Sequence, residues 1–249
     1  MARQKSLIKL DGTIGGITFY KTKDGYLAKE QSGVSADRIK NDPAFERTRE
    51  NGAEFGSSAS SGKLLRDSVR VMMQNASDRL VTSRLTKIMT QIKNIDPTST
   101  RGQRNVGVGI AEPEGLALLK GFNFNIDAIL GSILYNSHQV DPATGIITLD
   151  GLVPINEVSG TQGATHITLR GAWVKIDFAT GEFDLQETNS VNLPIDATST
   201  DVVLTPAASA SGTGNDLFVL MIEFFQEVNG NQYTLKNGAY NALSIVDVQ

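Results

Sequence analysis

The sequence predicts an α+β protein: an N-terminal β-meander plus a helical segment, followed by an immunoglobulin-like antiparallel β-sandwich. Three observations predict it. Strand-like runs between glycine turns open the chain, in "LIKLDGTIGGITFYKTKDGYLAKE". Apolar residues at helical spacing follow, to about residue 94. From about residue 145 many short strand-like segments alternate with turns, the pattern of a sandwich. The predicted domains are 1–96 (meander and helices), 97–121 (a linker with a short helix) and 122–249 (the sandwich). At 249 residues and 40% hydrophobic content, a sizeable core is possible.

Gly12, Gly15 and Gly16 mark a first turn and "KDG" at 23–25 a second, so strands are expected at about 6–10, 16–20 and 26–30. Period-two alternation puts Ile8 and Leu10 on one face, and Ile17 with Phe19 on one face of the next strand. Thr18 and Tyr20 point the other way. Such a small sheet is marginal alone and needs packing partners.

Asp42 is a good N-cap and Pro43 fits the first helical position. Phe45, Gly52 and Phe55 fall near one face, and Gly56 suggests a stop. "SSASSG" at 57–62 is either a loop or a small-residue helical surface, and a loop is preferred. A second helix is expected at about 63–74, with Leu65, Val69, Met72 and Met73 in register. A third, at about 76–94, carries the stripe Val81, Leu85, Ile88, Met89 and Ile92 and ends at Asp96-Pro97. The polar, glycine-rich "DPTSTRGQRNVGVGIAEPEG" at 96–115 reads as an interdomain connection. Pro113 and Leu116, Leu118 and Leu119 suggest a short helical turn ending at Gly121.

Two of the later strands are informative. In "THITLRGAWVKIDF", Ile167 and Leu169 share one parity while Val174, Ile176 and Phe178 share the other, a phase flip that a β-bulge near Gly171 would produce. In "LFVLMIEFF", Phe218, Leu220, Ile222 and Phe224 form one apolar face and Val219, Met221 and Glu223 the other, as in a central strand. Trp173 is expected in the core. The Cys–Trp–Cys signature of antibody domains is absent, so any likeness is architectural.

The chemistry-bearing residues are sparse. With no cysteine, thiolate nucleophiles and disulfides are excluded. The two histidines, His138 in an expected loop and His166 at a strand start, have no metal-ligand spacing around them. No G-x-S-x-G elbow occurs. "GVGIAE" at 107–112 lacks the third glycine and the preceding strand of a dinucleotide fingerprint, and "SGKLL" at 61–65 lacks the rest of a phosphate loop. No enzyme activity, cofactor or metal is therefore expected. The run 217–225 is broken by Glu223 and too short to span a bilayer. No signal-peptide run follows the basic start, so synthesis in the cytoplasm is expected, with any extracellular or particle-associated location reached by a route the sequence does not display.

Charge is split along the chain. Residues 1–110 carry 19 Lys and Arg against 11 Asp and Glu (+8), and residues 111–249 carry 4 against 16 (−12). Such halves attract each other, within or between molecules, and salt weakens the attraction. Arg47, Arg49, Arg66, Arg70, Arg84, Arg101 and Arg104 form a candidate basic patch for nucleic acid, but interleaved acidic residues and scarce aromatics rank that second to self-association.

"GTIGGITFYKTKDGYLAKE", "DPAFERTRENGAEFG" and the C-terminal "IEFFQEVNGNQYTLKNGAYNALSIVDV" resemble a family of uncharacterised proteins from Bacteroidota. Its pattern is an N-terminal hairpin, an Arg/Phe-containing helix and a closing strand pair ending in "NALSIV". The resemblance spans both ends of the chain and implies one architecture throughout, with no catalytic residues to carry over.

The expected function is that of a non-enzymatic structural protein assembling in many copies, as a filament, tube, sheath or virion-like particle. Its N-terminal strands would add to a sheet of a neighbouring subunit, through heterologous contacts that give open polymers when they do not close. The expected contacts are Ile8, Leu10, Ile17, Phe19, Tyr20 and Tyr26, with Phe45 and Phe55 anchoring the first helix. The alternatives are a monomeric sandwich that binds a glycan or protein, or a nucleic-acid-associated protein.

Overall fold

The computed structural model describes residues 2–30, 33–76, 78–160 and 162–249. The chain divides into two compact units, Met1–Arg49 and Glu50–Gln249, rather than at the expected 96/97 step. The α+β class and the antiparallel β-sandwich are as the sequence predicts; several elements are not.

The first unit is a four-stranded antiparallel sheet, order β1-β4-β3-β2, followed by a short helix. Its strands are β1 (Ala2–Arg3), β2 (Gly12–Ile14), β3 (Ile17–Thr22) and β4 (Gly25–Glu30). Gly15 and Gly16, at φ 56° and 82°, form the two-residue turn between β2 and β3; positive φ at both positions matches the twist of the paired strands. The strand expected at 6–10 is not formed. Gln4 takes its place: its Oε1 accepts the Leu10 N–H at 2.9 Å, and its Nε2 donates to the carbonyls of Leu10 (3.3 Å) and Leu27 (3.0 Å). A side-chain amide thus supplies what a ladder would, leaving Ile8 and Leu10 in a connecting loop. Helix α1 (Ala36–Asn41) is capped by Ser35, and Asp42 caps the 3₁₀ turn Pro43–Phe45.

Helix α2 (Glu46–Ser68) runs unbroken through the expected loop at 57–62. The small-residue alternative is the one realised. Ser58 and Ser61 are buried, and the Ser58 hydroxyl bonds back to the Glu54 carbonyl at 2.9 Å. Such back-bonding satisfies a buried hydroxyl without a partner outside its own helix. A Cβ at Gly62 would stand 3.6 Å from both Leu85 and Met89, so α2 packs closely on α4. A short α3 (Arg70–Met73) follows, and α4 (Val81–Ile95) buries the predicted Val81, Leu85, Met89 and Ile92.

The expected linker is folded and its later part supplies core residues. The Asp96 carboxylate accepts the N–H groups of Thr98, Ser99 and Asn105 (3.0, 2.9 and 3.1 Å), pinning the polar stretch beside the end of α4. Asn105 then caps α5 (Val106–Gly109), and α6 (Pro113–Leu119) follows. Val106, Ile110 and Leu119 are at most 1% exposed. The glycines of this stretch serve close approach: a Cβ on Gly109 would sit 2.1 Å from the Ile92 carbonyl oxygen, and one on Gly115 would sit 2.1 Å from that of Gly109.

The helices cover one face of a five-stranded antiparallel sheet. In it β10 (Asn215–Val228) pairs β7 (His166–Asp177) on one side and both β11 (Asn231–Thr234) and β12 (Ala242–Val248) on the other, while β8 (Glu182–Pro194) flanks β7. The central strand is β10, as predicted. The second layer is a three-stranded sheet of β5 (His138–Val140), β6 (Ile147–Leu152) and β9 (Thr200–Leu204). His138 therefore begins a strand, not a loop. Two further short helices, α7 (Leu130–Ile133) and α8 (Pro154–Glu157), border this layer.

Strand β7 keeps strict alternation, so the expected flip at Gly171 does not exist. Ala172, Val174 and Ile176 join the helix-side core with Val219, whereas Ile167 and Leu169 join the sheet-side core with Ile222 and Phe224. Trp173, on the second face, packs on Phe218 at 5.7 Å. The strand is buried on both faces, and different layers cover different stretches of it. A register shift does occur beside Gly171, but the extra residue lies in β8, around Thr188, whose hydroxyl accepts the Gly171 N–H at 2.8 Å. Beyond that bulge β8 bridges to Pro206, next to β9, so the two layers join at one edge and the sheet curls.

Candidate assembly interface

Antiparallel partners point to the same side of a sheet, so the register of the first unit defines its faces. Ile14 pairs Ile17, Phe19 pairs Ala28, Lys21 pairs Tyr26, and Ala28 pairs Ala2. One face is thus an apolar patch of Ile14, Ile17, Phe19, Tyr26 and the two alanines, with Lys21 and Glu30 at its ends. The opposite face carries Thr13, Thr18, Tyr20, Leu27 and Lys29, and the Thr13 and Thr18 hydroxyls meet at 3.1 Å.

None of the described residues from 2 to 49 is buried. Ile14 is 60% exposed and Ile17 43%. Ammonium groups decorate the aromatic rings, with Lys9 and Lys21 over Tyr26 (5.9 and 5.7 Å) and Lys29 over Tyr20 (5.7 Å). Of the residues expected to make contacts, the fold gathers Ile17, Phe19 and Tyr26 on one face and sets Tyr20 on the other. Ile8 and Leu10 lie in the loop, exposed.

The two phenylalanines do not anchor one helix together. Phe45 is half-buried in the 3₁₀ turn, 5.6 Å beneath the Arg38 guanidinium, and Phe55 on α2 is 59% exposed. Leu65 and the buried Ser58, Ser61 and Ser68, not Phe55, seat α2 in the core of its unit.

The arginines grouped as a basic patch have mostly internal partners. Arg49 donates to the Ile39 and Asp42 carbonyls, and Arg101 pairs with Glu50 at 2.7 Å. Arg84 pairs with Asp78, donates to the Asn123 carbonyl and stacks on Phe122 at 5.1 Å. Arg104 joins Glu54, which also receives Lys93 and the Gly102 N–H. Arg66 is half-buried; Arg47 and Arg70 are exposed.

The Glu54 cluster escaped sequence reading, because Glu54 and Lys93 look like ordinary solvated charges until 57–62 is known to be helical. Arg104 and Lys93 hold the Glu54 carboxyl down to about 2 against the cost of its burial. Burial pushes the Asp96 carboxyl up, and hydrogen bonds from Ser99, Asn105 and Thr98 outweigh it, bringing it to about 2. Both groups work as structural staples.

Among the described residues no group of three or more His, Asp or Glu side chains converges to hold a metal ion. No helix formed by the described residues is long and apolar enough to cross a membrane. No family model matches the chain, and neither a curated protein nor a solved structure matches it.

Proposed function

We propose that this chain is a non-enzymatic building block that assembles in many copies, its N-terminal sheet packing on or pairing with a neighbouring copy. The observation that carries the reading is an apolar sheet face (Ile14, Ile17, Phe19, Tyr26) in a unit with no buried residue among those described. Fully covering each such side chain is worth about 1.5–3 kcal/mol. Phe19 and Tyr26 are already half-buried, so the four together give less than four times that value, at the low end of the about 4–15 kcal/mol lost in freezing one molecule onto another. A single pairwise contact is then marginal, and an array in which each copy makes several contacts is favoured.

Charge supports the same reading. Residues 1–49 carry ten Lys and Arg against six Asp and Glu (+4), and residues 50–249 carry thirteen against twenty-one (−8). Opposite charge on the two units favours head-to-tail contact between copies, and head-to-tail contacts build open polymers when the rotation does not close. The free edge of β2 offers a place for strand addition.

Electron microscopy and sedimentation velocity of the purified chain test this. Regular particles or filaments at micromolar concentration, shifting toward smaller species as salt rises, are the expected result. A strict monomer at all concentrations and ionic strengths would overturn the reading.

A further inference from the structure

A cavity of about 410 Å³ opens in the second unit between α4, α6 and the segment 120–129. Its size falls within the roughly 300–1,000 Å³ of small-ligand pockets. Ile88, Leu118, Ile126 and Ile129 give it apolar walls, and the last three are 37%, 47% and 45% exposed. Three clustered, half-exposed aliphatic side chains around a concavity are unusual, because burying them is worth about 1.5–3 kcal/mol each.

The polar part of the lining has one sign. Arg84, Lys87 and Lys120 border the cavity, and no carboxylate belongs to its lining. Arg84 and Lys120 are partly neutralised from outside it by Asp78 and Asp247. Lys87 is exposed and makes no ion pair among the described residues. The Arg84 Nε–H is buried and finds no acceptor, although the rest of that guanidinium is bonded.

We propose that this cavity is a binding site for a small amphiphilic monoanion, a carboxylate on an apolar body. The apolar body lies along Ile88, Leu118, Ile126 and Ile129. The carboxylate meets the Lys87 ammonium, with the side chains of Arg84 and Lys120 within the same cationic border. Lys87 supplies the net charge that selects an anion over a neutral amphiphile, and the isoleucines supply most of the affinity.

Isothermal titration of the full chain with decanoate, and with 1-decanol as the neutral analogue, tests the site. One decanoate per chain is expected, with decanol at least about tenfold weaker, the loss of one charge-assisted contact of about 1.4 kcal/mol. Lys87→Ala is expected to weaken decanoate about tenfold while leaving decanol unchanged. Ile129→Glu is expected to abolish both, at an exposed position where the unfolding midpoint read by Trp173 fluorescence stays at the wild-type value. Equal affinity for decanoate and decanol, absence of saturation below millimolar concentration, or unaltered binding by Ile129→Glu would each overturn the proposal. So would a wild-type chain that sediments as a larger species than Ile129→Glu and takes up no decanoate, which would mean that a second copy fills the cavity.

Discussion

The Arg104 guanidinium closes on the Glu54 carboxylate through two hydrogen bonds, Nε to Oε1 at 3.0 Å and Nη2 to Oε2 at 2.9 Å. Glu54 sits in α2, Arg104 in the stretch beyond α4, and Lys93 of α4 completes the cluster. Glu54 is 3% exposed, so its charge is tolerated only because every oxygen is matched. The stretch from 97 to 105 is thereby tied to α2, which is why it is held in place and is not a tether, although none of its residues is buried.

Removing one partner from such a cluster strands the others. Glu54→Gln should destabilise the second unit by about 3–5 kcal/mol at neutral pH, measured by urea denaturation. The pH dependence has a definite sign. The folded carboxyl is depressed to about 2, so its stabilisation is complete above the unfolded value of about 4.3 and is lost as pH falls from there toward 2. The wild-type midpoint should drop across that window more steeply than that of Glu54→Gln. Parallel curves would show that Glu54 is not the group responsible.

The glycines sort into two kinds. Gly109→Ala and Gly115→Ala place a methyl group 2.1 Å from a backbone carbonyl oxygen, and overpacking of that sort costs about 1–3 kcal/mol or more. At Gly52 and Gly56 of α2 an added Cβ meets nothing within 4 Å. Alanine there should stabilise by about 0.5–1 kcal/mol through helix propensity. Chemical denaturation of the four variants checks both signs together.

Ile17→Lys and deletion of residues 2–30 probe assembly without touching the second unit's core. Trp173, the only tryptophan, is 6% exposed and lies in that core. Its fluorescence should report the same unfolding midpoint in both variants as in the wild type. Sedimentation should show loss of the large species in the deletion and a strong reduction in Ile17→Lys. Undiminished assembly by the deletion variant would exclude the N-terminal sheet as the contact.

Thr188→Val tests the bulge in β8. The Thr188 hydroxyl accepts the Gly171 N–H at 2.8 Å; without it a donor on the buried Gly171 is unmet, at a cost of about 1–3 kcal/mol. Amide hydrogen exchange at Gly171 should accelerate in the variant relative to Leu169 or Val174, whose ladder bonds are intact.

Much of the architecture was legible before any coordinates. Val81, Leu85, Met89 and Ile92 recur at helical spacing and are buried as that spacing requires. The alternation through β10 marked a strand covered on both sides. The turn glycines at 15 and 16 were legible because positive φ leaves few other choices. The apolar face of Ile17 and Phe19 was also legible, although its first expected strand was not, since Gln4 closes the loop by a side-chain bond that no periodicity displays.

Local pattern by itself determined the buried stripe of α4, where the central strand runs, and that the N-terminal strands have more apolar surface than neighbours in sequence to cover it. Tertiary structure alone decided three things: that "SSASSG" is helix, that the expected linker supplies core residues from Val106 to Leu119, and that the basic residues along 84–104 are mostly engaged internally. The physical reason is common to all three. Serine, arginine and glutamate are ordinarily exposed and go inside only where a partner meets them, and glycine has no side chain to mark its place. Their place is set by what lies opposite them: the side chains of Leu85 and Met89 against Gly62, the Ile92 carbonyl against Gly109, and the Glu54 carboxylate against Arg104.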